Sequence, residues 1–305
     1  EDSGGVVYSA IIYFVLLLSS LVTPALSGNM VNGDRDAGTL ATTQVTLVTT
    51  PQLVLGKFLA AWISALAFLV AAVPFILWSF AIGGTDPGTV VVSILVLAFE
   101  LGVVAAVGVG LSGLMRRPLF SIVVTYLFVA LLSIGTLIGF GLGGLALQTK
   151  VTVQNSYLDY SDPDLQFDAQ GNPINARCIT DPPYETTVPR TDLVWWMLAA
   201  NPYVVLADAV PTHFDRAGDY PTDMFGGIKL GVRYAQQPPD LDGFDECADG
   251  RLQDQPTPRE IIDSTTPSWL VGMLIYLGVA GAALWGAIAV THAPSRRLAA
   301  GSRVA

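Results

Sequence analysis

Charge is what this chain has least of. Only 13% of its 305 residues are Asp, Glu, Lys or Arg, against ~25% in an ordinary soluble domain. Hydrophobic residues make up 52%, and the mean hydropathy is +0.54. Much of the chain is therefore not built to meet water. Histidine is nearly absent: two residues are too few for most metal or proton-relay sites, and no His-Glu-x-x-His zinc motif occurs. A Gly-x-x-x-x-Gly-Lys-[Ser/Thr] phosphate loop is also missing, because Gly56-Lys57 is followed by Phe58. The chain has no cradle of its own for ATP. Basic residues number 15 against 25 acids. That balance argues against nucleic acid, whose phosphates need cations.

What is present is a set of long oily runs. Five stretches, 6–28, 58–82, 89–114, 119–147 and 269–290, are apolar enough and long enough to cross a bilayer, which takes ~20 residues. Four hold no charged residue and the third holds only Glu100. The competing reading is a set of buried helices in a large soluble protein. Such helices rarely exceed ~20 residues without a charge, and here it happens four times. The fold expected is an all-α polytopic membrane protein with a transmembrane bundle over 1–147, a loop domain over 148–268, and a last span with a basic tail over 269–305.

Charge in the short connections sets the orientation. Arg35 and Lys57 lie in 29–57, Arg116 and Arg117 in the next link on that side, and Arg296, Arg297 and Arg303 in the tail. The alternate ends carry Glu1, Asp2 and Asp86 with no basic residue. Positive charge in short loops marks the cytoplasm. The C-terminus is expected to be cytoplasmic and residues 148–268 extracellular. Residue 1 then begins outside without a signal sequence, so a preceding cytoplasmic segment and a sixth span are expected in the intact subunit.

The long loop collects the acidity, with 19 of the 25 acids against 8 of the 15 bases. Both cysteines, Cys178 and Cys247, fall inside it. An exported loop meets an oxidising compartment, and a disulfide between them is expected. Residues 192–211 are an apolar exception. Pro202 disfavours helix at Asn201, so a pair of short helices broken there is expected as a re-entrant or surface-lying hairpin, with Trp195 and Trp196 at headgroup level.

The connection between the first two spans reads Asp34-Arg35-Asp36-Ala37-Gly38-Thr39-Leu40, then Thr46, then Gly56-Lys57 at the next span. From Leu40 to Val54 it is amphipathic and suits a short helix on the membrane surface, with Thr39 as its N-cap; a solvated loop is the plainer reading. With Pro24 late in the preceding span, this block resembles the type-2 ABC transporter permease family, the membrane subunits of many bacterial exporters. Two positions depart from the family pattern: Asp34 stands where Glu is usual, and Leu47 replaces the Pro after Thr46, with Pro51 further on. The likeness continues in Arg116-Arg117 and in Asn201-Pro202-Tyr203.

The resemblance implies that 29–57 holds a coupling helix docking on cytoplasmic ABC ATPase subunits, through Asp34, Arg35, Asp36, Gly38, Thr39, Leu40, Thr46, Gly56 and Lys57. ATP and Mg would sit in that partner, leaving no cofactor and no enzyme activity in this chain. A second permease subunit, identical or homologous, would complete the export path in a bacterial plasma membrane. The path would lie largely between spans 6–28 and 119–147. The function so implied is ATP-driven export from the cytoplasm or inner leaflet. The alternative is a membrane receptor or scaffold whose acidic outer domain binds an external partner.

Three further features stand apart. Glu100 is a charge in mid-span, costly and functional by default. It is read as a protonated acid bonded to a neighbouring helix, a contact for a substrate cation, or a gate element, the bond being the simplest. Gly135, Gly139 and Gly143 share a helix face, which permits close packing within the subunit or at a dimer interface. Gly110-Leu111-Ser112-Gly113 matches a short intramembrane serine protease motif, but neither His213 nor His292 is placed to activate Ser112. Small-residue helix packing is the expected role.

Overall fold

The computed structural model describes residues 3–39, 48–83, 85–161, 165–167, 173, 177–215, 220–239, 246–247 and 256–291. The expected Leu40 and Thr46, the remainder of 40–47, and His292 with the basic tail lie outside them. Among the described residues, five helices are long and apolar enough to cross a membrane. In chain order they are α1 (Ser3–Ser27), α3 (Thr50–Ile82), α4 (Pro87–Leu114), α5 (Pro118–Ala146) and α10 (Ser268–Thr291). A seven-residue helix, α2 (Met30–Asp36), follows α1 almost directly.

Helix starts are written in the sequence. Asp86 caps α4 by accepting from Gly88 and Thr89 N–H at 2.9 Å each, with Pro87 in the first turn. Thr49 and Gln52 form a capping box on α3. α3 therefore runs unbroken through Gly56-Lys57. Residues Thr50–Val54, expected in a surface helix, are its first turn, because the capping box and Pro51 favour starting there.

α4 lies at the centre, packed on α1, α3, α5 and α10. Its small residues permit the approach: a Cβ on Gly110 would sit 2.6 Å from the Ala283 Cβ, and one on Gly113 2.6 Å from the Ala287 Cβ, both on α10. The core joins Tyr8, Ile12 and Leu16 of α1 to Leu69 and Ile76 of α3 and Leu97 and Leu101 of α4. Pro24 inside α1 lacks an N–H. Around it, Tyr126 of α5 donates to the Leu21 carbonyl at 2.7 Å, and Ser121 donates to the Gly28 carbonyl. α5 is peripheral, with Leu119, Leu127, Leu131, Leu142 and Leu145 all more than 60% exposed.

The loop between α5 and α10 departs from the all-α expectation. Its first part forms two antiparallel ribbons among the described residues: β1 (Gln148–Val153) with β4 (Tyr184–Pro189), and β2 (Ser156–Leu158) with β3 (Cys178–Thr180). The physical reason is composition: Thr149 faces Val188 and Val151 faces Thr186, with Thr152, Val153 and Thr187 in the same two strands, and β-branched residues fit a pleated surface. The disulfide expected between Cys178 and Cys247 is formed, with Cα atoms 5.8 Å apart across 69 positions. It fastens residues 246–247 to the second ribbon, where Glu246 accepts from Leu158 N–H at 3.1 Å and from the Tyr160 hydroxyl at 2.7 Å.

The second part of the loop is helical and not a body set apart. After a 3-10 turn (Thr191–Leu193) come α6 (Trp196–Ala199), α7 (Pro202–Ala209), α8 (Met224–Tyr234) and α9 (Pro258–Ser264). Val205, Leu206, Ala207, Val210 and Phe225 belong to the same core as α1, α3 and α4.

Candidate functional site

Two places concentrate polar groups among the long helices. The first is the end of the bundle carrying residues 30–39 and 48–57. Here α2 is braced against both α3 and α4. The Ser112 hydroxyl of α4 accepts from Val31 and Asn32 N–H at 3.1 Å each, filling the orphan donors at the start of α2. Arg35 Nη1 donates to Asn32 Oδ1 at 2.7 Å and to the Met115 carbonyl at 3.0 Å. Its Nη2 reaches the Gly113 carbonyl at 3.3 Å. A cation on the last carbonyls of a helix also opposes the negative end of its dipole. Lys57 Nζ, from the second turn of α3, lies 2.6 Å from Asp34 Oδ2 and donates to the Met30 carbonyl at 2.6 Å.

The acid-basic-acid cluster thus divides its work. Asp34 ties α2 to α3, Arg35 ties α2 to α4, and Asp36 is exposed with no partner among the described residues. Gly38 takes φ +68°, a conformation that favours glycine, just past the end of α2. The Thr39 hydroxyl donates to the Asp34 carbonyl at 3.3 Å; the first turns of the helix it was expected to cap, 40–47, lie outside the described residues. Gly56 is exposed, and no atom lies within 4 Å of where a Cβ would be. The Ser112 motif is absorbed by packing and by the bonds to α2. His213 meets Thr89 at 3.0 Å at the other end of α4, roughly 35 Å away along 23 helical residues.

The second place lies halfway along the bundle. Residues 191–209 run inward along α5 and return. Thr191 neighbours Gly144, Val194 neighbours Gly143, Met197 neighbours Gly139, and Asn201 reaches Ser133 and Thr136. From Gly144 to Ser133 is roughly 16 Å of helix rise. The chain turns at Asn201-Pro202 and climbs back, until Asp208 meets the start of α10. Gly139 and Gly143 therefore receive this hairpin, whereas the atoms nearest a Cβ on Gly135 belong to Leu131 of its own helix.

The turn is held by three neighbours. Asn201 Nδ2 donates to the Ser133 carbonyl at 2.8 Å and to Thr136 Oγ1 at 2.9 Å. Ser133 sits in a π turn of α5 (Leu131–Gly135), a local widening that recurs at functional sites. Tyr13 of α1 donates to the Tyr203 carbonyl at 3.3 Å, and Tyr276 of α10 donates to the Ala200 carbonyl at 2.8 Å. Facing this turn is Glu100 of α4, 2% exposed. The bond to a neighbouring helix expected of it is absent: neither carboxyl oxygen has a hydrogen-bond partner among the described residues. A cavity of 20 Å³ adjoins it, lined among others by Leu16, Ser20, Val129, Leu132, Tyr203 and Tyr276. That space admits one water-sized occupant and no organic molecule.

Asn201, Tyr13, Tyr276 and the π turn escape the sequence reading as site residues. The break at Asn201-Pro202 was the available signal for the hairpin tip. The partners of the tip lie 65 to 190 positions away in sequence, and no local pattern marks them. No family model, curated protein or solved structure matches the chain.

Proposed function

We propose that this chain is a multi-pass membrane protein serving as the permease subunit of an ATP-driven exporter of the type-2 ABC class. In this reading residues 30–57 face the cytoplasm, residues 148–268 face outside, and ATP is hydrolysed in a separate subunit. The observation that carries the reading is the bracing of α2. One short segment is fastened to α3 through Asp34 and Lys57 and to α4 through Arg35 and Ser112. A force applied to that segment is delivered to two long helices at once, which is what coupling to an ATPase requires.

The exposed apolar face of α5 would then meet lipid or a second permease subunit. The hairpin tip at Asn201-Pro202 would close the middle of the bundle from the outer side, beside Glu100. The test is co-purification of the native complex. A stoichiometric ATPase subunit is expected, with ATP turnover altered by Asp34→Ala or Gly38→Val. A chain that purifies from its native membrane with no ATPase, and whose loop residues instead capture an external protein, would favour the receptor or scaffold reading.

A further inference from the structure

Beside the hairpin, at the end of the bundle where α10 begins, lies an open cleft of 360 Å³ lined by Thr212, Phe214, Lys229, Arg259, Ile262 and Asp263. Its polar groups are unusually short of partners. Lys229 is 7% exposed, and its Nζ donates to the Val210 carbonyl at 2.7 Å. An ammonium has three protons to give, and no carboxylate pairs with this one among the described residues. Burial pushes the Lys229 pKa below the ordinary lysine range, with Asp208 opposing, Arg233 reinforcing and Asp223 opposing that shift. Arg259 is held over the Phe214 ring at 4.9 Å, and its guanidinium makes no hydrogen bond or ion pair among the described residues. The Thr212 hydroxyl is buried without a partner.

Two cations with spare donors, one spare hydroxyl and one acid thus line the same open cleft. The cleft carries +1 (two cations less one acid) in a loop whose formal charge is 8 − 19 = −11. Diffuse attraction cannot gather anions on such a loop, so an anion held here is held by this geometry. A buried ammonium with no carboxylate in contact is costly; an oxyanion would supply that contact and accept from all three donors. Arg favours the forked oxygens of a phosphate, and Lys adds a point charge.

We propose that this cleft is a binding site for a phosphate group, contacted by Lys229, Arg259 and Thr212, with Asp263 available to a donor on the same ligand. It is independent of the export reading. The group arrives either free or on a lipid headgroup, since Asp263 lies five positions before Ser268, where α10 starts.

The test uses the purified full chain, stripped of lipid in detergent, titrated with inorganic phosphate while thermal unfolding and calorimetry are followed. The same chain is then measured in nanodiscs of neutral lipid with and without phosphatidic acid. Saturable stabilisation by inorganic phosphate, with affinity lowered about tenfold or more by Arg259→Gln and by Thr212→Val, supports the site and a free ligand. Retention of phosphatidic acid, weakened by the same variants while inorganic phosphate has no effect, supports the site and a lipid source. Arg259→Lys should recover part of the loss. Absence of both effects, or binding equal in wild type and both variants, overturns the proposal. Arg259 is on the exposed side of α9, so its replacement leaves the fold intact.

Discussion

Asp208 and Glu100 are both buried carboxyl groups, 1% and 2% exposed, in opposite surroundings. Asp208 receives Arg233 Nε at 2.8 Å and Nη2 at 3.2 Å, the Ser268 hydroxyl at 2.7 Å and Trp269 N–H at 2.9 Å. Arg233 in turn spends Nη1 on the Ile262 and Thr265 carbonyls. This network joins α7, α8, α9 and the start of α10, and each guanidinium nitrogen of Arg233 donates within it. Glu100 has the same chemical group and none of those partners. Burial alone therefore does not say what a carboxylate is for. A fully satisfied one specifies how helices meet. One left without partners makes no hydrogen bond that joins helices, and a carboxyl in mid-span is functional by default.

This contrast can be broken most directly by Arg233→Met. It leaves the Asp208 carboxylate buried and unpaired, at a cost of about 3–5 kcal/mol. A large fall in the thermal midpoint is expected, most of it recovered when Asp208→Leu is added. A single variant as stable as wild type would remove the distinction. Next in size is Cys178→Ser with Cys247→Ser. Opening a loop of 69 positions costs up to about 4 kcal/mol on a chain-entropy argument. The loss should appear as faster proteolysis around β2 and β3, while the helical midpoint stays put, because the hairpin is anchored by its own contacts.

Gly110→Val tests the packing of α4 on α10, with ~1–3 kcal/mol expected from overfilling and read by thermal unfolding. Asp34→Asn should cost no more than ~1 kcal/mol, since the pair with Lys57 is partly exposed, so any large effect on ATP turnover would be one of coupling. The smallest expected effect sharpens the contrast: Glu100→Gln keeps the shape and breaks no bond seen among the described residues, so the midpoint should move by less than ~1 kcal/mol. If it falls as far as in Arg233→Met, Glu100 is structural after all.

The long helices were legible because an uncharged run of more than 20 residues has few alternatives; their starts were read at 89 and 119, two and one residues inside the helices that Asp86-Pro87 and Arg117-Pro118 open. The pairing of Cys178 with Cys247 followed from their being alone together in one loop. The ribbons were not foreseen: Thr149–Val153 has the right residue types but adjoins an apolar helix, and its partner strand lies beyond a long insertion. The Asp208–Arg233 network was hidden for another reason. Two charges 25 positions apart in an acidic loop look like solvated surface, and only tertiary packing takes them out of water. A lone acid within the apolar run Leu206–Val210 was the one hint. Lys229 and Thr212 gave no hint at all.

Among the described residues, four helices begin on an extended residue followed by proline: Asp86 (ψ 147°), Arg117 (ψ 116°), Asn201 (ψ 126°) and Thr257 (ψ 155°). The proline ring keeps the residue before it out of helical geometry, so none of these helices can creep backwards into its linker. Residues added or deleted upstream of such a joint are absorbed there, and side chains downstream keep their angular position. Glu100, Ser133 and Tyr203 each hang a fixed number of residues below one of these stops. Their meeting point is thereby insulated from the length of every connection that leads to it.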